Sequence, residues 1–188
     1  MNQLEFNATI LDFSHRYSEL FAVIENLGWG IGRSVEAEKI AREPYWESPF
    51  PMHNLAHLFL STFSGVRGKI GTRHHVRFGC EYVAGVSSLT QTLPYDAERL
   101  VLGESGSARP PAFPIGTLDG WMLFLREDWT TITINYKWRD MLLSENPFEV
   151  VEEFRTDSPK IWLDKSRHIE INDINCVPGA LIGGAYDA

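Results

Sequence analysis

Apolar residues recur at intervals of three and four along His15 to Leu27, at Leu20, Phe21, Val23, Ile24 and Leu27, the period of a helix with one buried face. Gly28 follows as a natural helix stop. A second helix is predicted from Met52 to Phe63. Leu55, Ala56, Leu58, Phe59, Leu60 and Phe63 make it apolar nearly all round, so it belongs deep in the core, and Gly65 closes it. Between the two lies Glu43 to Pro51, whose three prolines cannot continue a helix and mark a loop. From about His75 the hydrophobic period shortens to two. His75–Val83 and Leu100–Leu102 suit short strands, and Ser105 to Pro111 is a surface loop. Trp121–Leu125 and Trp129–Tyr136 read as two strands joined by a tight turn at Arg126-Glu127-Asp128. Asn146-Pro147 opens a further helix, with a capping Asn and a proline at the first helical position, and Phe148, Val151 and Phe154 form its buried stripe. A short strand is expected around His168–Ile174. Helices first, then strands, then a helix is an α+β order. The expectation is a single domain over residues 1–188, its helices packed on one face of a mostly antiparallel sheet.

A chain of 188 residues is close to one ordinary domain and buries enough surface to fold without a metal or disulfide staple. Six Trp, six Tyr and eleven Phe serve equally as core and as interface anchors. The two cysteines, Cys80 and Cys176, could pair, but a secreted, disulfide-framed domain would usually show more. Met1 to Phe6 carry neither the charge nor the apolar lead of a secretion signal, and no apolar run has the length of a membrane span. These features predict a cytoplasmic protein with two free, buried thiols. The formal charge of −8 is unevenly placed: residues 1–94 hold eight Lys/Arg and nine Asp/Glu, whereas residues 95–188 hold nine and sixteen. Such acidity argues against nucleic acid and anionic membranes as partners and favours a basic one, although acidity also serves solubility alone.

Candidate chemistry is sparse. His53 and His57 have the spacing of two imidazoles on one helix face, but Asn54 stands where a zinc-protease signature needs Glu, so structural histidines are the plainer reading. His74-His75 lies in a basic segment with Arg67, Lys69, Arg73 and Arg77, which suits either a phosphate-facing patch or a solvated strand edge. The glycines of Gly28 to Gly32 and Gly179 to Gly184 do not form a phosphate loop. No nucleophile elbow appears, and Glu127-Asp128 are adjacent and would point apart. The densest charge lies between Asp140 and Asp157, with six acids against one base, Arg155. Glu149, Glu152 and Glu153 are placed opposite the Phe148/Val151/Phe154 stripe. Acids near a helix N-terminus also favour the dipole, which accounts for Glu149 but not for the others.

Several local patterns fall into a known order. Leu27-Gly28-Trp29-Gly30-Ile31-Gly32-Arg33-Ser34-Val35 resembles the "Gly-Trp, two residues, Gly-Arg-x-Val" opening of the third family in the SUKH superfamily of bacterial immunity proteins. Phe59 to Val66 is similar to the family's apolar helix ending in a Phe-Gly-Gly turn, with Ser64 in place of a glycine. Pro114-Ile115-Gly116 matches a step before a strand pair, and Pro147 to Phe154 matches a short acidic-apolar helix. The resemblance covers about residues 15–156 and leaves 157–188 unmatched. It implies an α+β fold, a polymorphic toxin (often a nuclease or deaminase) as partner and no catalytic residue, while the residue readings above predict no metal and no cofactor. It carries no binding site, so the site expectation comes from charge: Asp140, Glu145, Glu149, Glu152, Glu153 and Asp157, with Trp138 and Trp162 as apolar anchors. Two other classes stay open, a protein-binding adaptor of the same fold and a small enzyme with a deep pocket of titratable groups.

Overall fold

The alternating segment forms an antiparallel meander, and the helical segments lie against it. The computed structural model describes residues 1–35, 52–79, 112–135, 140–157 and 168–170. Four helices are present among them: α1 (Gln3–Arg16), α2 (Ser18–Asn26), α3 (Asn54–Phe63) and α4 (Pro147–Arg155). The strands are β1 (Arg67–Ile70), β2 (His74–Phe78), β3 (Phe113–Leu118), β4 (Trp121–Leu125), β5 (Thr131–Asn135), β6 (Asp140–Ser144) and β7 (His168–Glu170). They form a sheet whose order is the order of the chain, every pairing antiparallel. This is the α+β architecture the sequence pattern predicts. No helix among the described residues is long and apolar enough to cross a membrane.

Local chemistry accounts for the element ends. Asn2 caps α1 in a reciprocal box, its side chain accepting from the Glu5 amide while the Glu5 carboxylate accepts from the Asn2 amide. The helix expected from His15 to Leu27 is instead two helices that break at Tyr17, whose φ of −114° and ψ of 46° leave the helical region. Asn146 caps α4 by accepting from the amides of Phe148 and Glu149, with Pro147 at the first position. Such a cap contributes about 1 kcal/mol. Asp119 and Gly120, at φ of 48° and 81°, make the two-residue turn between β3 and β4, the left-handed pair that matches strand twist. The turn expected at Arg126-Glu127-Asp128 is longer. The Arg126 amide donates to the Thr130 carbonyl across the loop, the Thr130 amide donates to Asp128, and Trp129 takes a φ of 72°.

Gly71, in the β1–β2 turn, has a φ of 59°, and a Cβ there would lie 2.1 Å from the Arg155 carbonyl oxygen. That glycine lets the turn seat against the end of α4. The core is aromatic and centred on Phe148. Its ring lies 4.8 Å from Phe21, 5.3 Å from Phe63 and 5.5 Å from Phe13, so α4 is pinned to all three other helices. All five residues of β5 are buried, so both pleat faces of this central strand are covered. The predicted loops at 43–51 and 105–111, the strand at 100–102, the outer parts of the strands at 75–83 and 168–174, and Cys80 and Cys176 lie outside the described residues.

Candidate functional site

The acidic run from Asp140 to Asp157 spans β6, α4 and the residues that flank them. Glu145 is exposed, while Glu149, Glu152 and Glu153 are half-buried, because α4 lies close enough to its neighbours to cover part of its polar face. Glu149 turns back toward the helix start, its carboxylate accepting from the Glu145 amide at 2.7 Å. Glu152 holds Arg155 through two contacts of 2.6 and 2.7 Å, and the same guanidinium reaches Glu19 of α2 at 2.7 Å. Arg155 is thereby held still more firmly in its charged form, chiefly by the hydrogen bonds it donates to Glu152. Asp140 begins β6, paired with Asn135 and Glu170. Trp138 and Trp162 lie outside the described residues. The structure thus brings Glu145, Glu149, Glu152, Glu153 and Asp157 onto one helix and its flanks, and Glu149, Glu152 and Asp157 accept hydrogen bonds within the protein.

Asp157 does the most. It follows the last turn of α4 at a φ of 50°, and its carboxylate meets Nε2 of His74 at 2.7 Å, the Thr72 hydroxyl at 3.2 Å and the Arg73 guanidinium at 3.3 Å. The Asp157 carboxyl is held below its ordinary value, first by the hydrogen bond from His74. The other ring nitrogen of His74, Nδ1, touches the carboxylate of Asp119, which also accepts from the His75 amide at 2.9 Å. The ring stands edge-on to Phe154, 5.3 Å between centroids. His74 thus joins three separate segments: the start of β2, the β3–β4 turn and the end of α4. Sequence reasoning noticed His74 only as part of a basic run and missed Thr72 and Asp119. The Asp119-Gly120 dipeptide was a turn signal, but its reach toward His74 needs the sheet register to be seen.

The basic run resolves into a hairpin. Arg67 pairs across the strands with Arg77, and Lys69 with His75, all four exposed. Like charges directly opposite one another weaken a strand pair, and such residues also discourage edge-to-edge sheet association.

His53 is the N-cap of α3 rather than a member of it. Its Nδ1 accepts from the Ala56 amide at 3.2 Å and its Nε2 lies 2.9 Å from the Leu125 carbonyl. One nitrogen must accept and the other donate, so the ring is the neutral Nε2–H form with no lone pair left for a metal. Burial lowers its pKa from the ordinary 6.5, against the raising influence of the Leu125 carbonyl, Glu127 and Asp128.

The Gly-Trp and Gly-Arg segment packs on the end of α3. Trp29 stacks on Phe63 with ring centroids 5.5 Å apart and planes 3° from parallel. The Arg33 guanidinium donates to the carbonyls of Thr62 at 2.8 Å and Ser64 at 2.7 Å, which satisfies acceptors at the end of the helix. The Val35 amide donates to the Ser61 carbonyl at 2.7 Å. Among known proteins, no family model, curated protein or solved structure matches the chain.

Proposed function

We propose that this protein is an immunity-type inhibitor, similar to the third SUKH family, that binds a basic toxin domain and catalyses no reaction of its own. The observation that carries the reading is the union of two separate motifs of the resemblance. Trp29 and Arg33 from the first close on Phe63 and Ser64 of the second, so residues that resemble a family pattern at two places act as one structural unit. Charge supports the partner class, because an acidic second half draws a cationic protein and repels nucleic acid. The docking face assigned to it is the acidic run from Asp140 to Asp157 on α4 and its flanks, with Trp138 and Trp162 as anchors. A cytoplasmic location accompanies this reading.

The test uses the toxin domain encoded beside this gene. Glu145→Lys with Glu153→Lys is the pair to test, with a thermal melt beside it to separate folding from binding; Glu152 and Asp157 stay in place because they hold Arg155 and His74. Stopped-flow association should slow by about tenfold at low salt and converge with the unmodified protein at high salt, as expected when a steering charge is reversed. Equal rates at both salt concentrations move the docking face elsewhere. No binding to any neighbouring toxin domain favours the adaptor reading.

A further inference from the structure

The junction at His74 has a property beyond the toxin-binding reading and independent of it. Two carboxylates, Asp119 and Asp157, address the two nitrogens of one imidazole. Both aspartates sit in left-handed backbone, at φ of 48° and 50°, a conformation that non-glycine residues adopt at a cost and keep where surrounding contacts compensate. Only the doubly protonated ring donates to both at once; a neutral ring carries one N–H and one lone pair, and the lone pair must face a carboxylate. We propose that His74 is a protonation-operated clasp: its imidazolium ties the end of α4 to the β1–β2 and β3–β4 turns, and loss of the ring proton releases that end.

The geometry decides which side lets go. Asp119 is fixed in a two-residue turn between paired strands and also accepts from the His75 amide. It cannot retreat, so the remaining proton stays on Nδ1. Asp157 lies past the last turn of α4, held by the Asp157 amide on the Phe154 carbonyl and by side chains. It can swing away. Among the described residues, three other charged or titratable groups bear on the junction. Arg73 bonds Asp157, the exposed His75 has Nδ1 3.9 Å from Asp119, and Arg155 of α4 is turned to Glu152 and Glu19. Arg73 and Thr72 retain a hold on Asp157, so release is a loosening of the final turn and not detachment of the helix. Histidine changes charge within the physiological range, which makes such a clasp useful.

Nuclear magnetic resonance on the 188-residue chain tests this. Ring ¹⁵N shifts report whether both nitrogens of His74 are protonated, and amide exchange relative to the unstructured rate reports opening at Thr156 and Asp157. As the pH is raised, the ring should pass from the doubly to the singly protonated pattern of ¹⁵N shifts. Protection at those two amides should drop by about tenfold, the worth of one charge-assisted hydrogen bond, while Val150 is unchanged. In Asp157→Asn, an exposed and conservative replacement, the drop should vanish. A ring that keeps one protonation state throughout, constant protection while it titrates, or the same drop in Asp157→Asn would each overturn the clasp.

Discussion

At His53 one side chain does two jobs that only its neutral form can do. It caps α3 through Nδ1 and ties that cap to β4 through Nε2, and acid removes the first by protonating the acceptor. Its folded pKa lies below the ordinary value, so the unfolded chain takes up the proton first as pH falls. Its contribution to stability is therefore complete above 6.5 and is lost as pH falls from there toward the folded value. His53→Asn keeps a capping acceptor that does not titrate. Thermal melts should show the unmodified protein losing more stability than this variant between neutral and mildly acid pH. Equal losses would remove His53 from the acid response. The role of His53 was only half legible in the sequence. A histidine before an apolar run fits a cap, but the partner that fixes its tautomer, the Leu125 carbonyl, is 72 residues away.

Among the elements, α4 depends on a glycine outside it. Gly71→Ala places a methyl group against the Arg155 carbonyl in a turn that already needs left-handed backbone, and should cost about 1–3 kcal/mol. Gly28→Ala is the matched control: its φ is 95°, yet nothing lies within 4 Å of the added carbon, so only the backbone strain is felt. Chemical denaturation should rank Gly71→Ala as the more damaging; the reverse order would mean the β1–β2 turn yields without cost. The elements that local signals mark strongly were readable in advance. Asn146-Pro147 named the start of α4, and β4 has the bounds that its apolar run predicts. Those missed are weakly marked. In α1 only Phe6, Ile10 and Phe13 are buried, β1 is four residues with two cations and a glycine, β3 holds Pro114-Ile115-Gly116 inside the strand and not before it, and β6 follows no turn signal. The acids of the candidate site were legible one by one. Their partners were not, since Asp157 and His74 stand 83 positions apart.

For the whole molecule, acidity and the meander have separate consequences. Charge sets which partners approach; the fold determines which acids they meet, and much of α4's negative charge is spent on Arg155 and the His74 junction. The meander bears on time. From β3 to β6 each strand is joined to its neighbour by a short connection, beginning with the two residues Asp119 and Gly120. Loop closure is cheap there, so these strands should pair early. The helices close over long separations: Phe13 meets Phe148, and Arg155 reaches Glu19 across 136 positions. Kinetic measurements should find that Gly120→Ala, which strains the φ of 81° in that turn, mainly slows folding. Phe148→Ala should cost about 3–5 kcal/mol and act mainly by speeding unfolding. The opposite division would mean that the helices assemble first. On this ordering, a two-residue turn governs how fast the native state is reached, and the helices that close last govern how long it lasts.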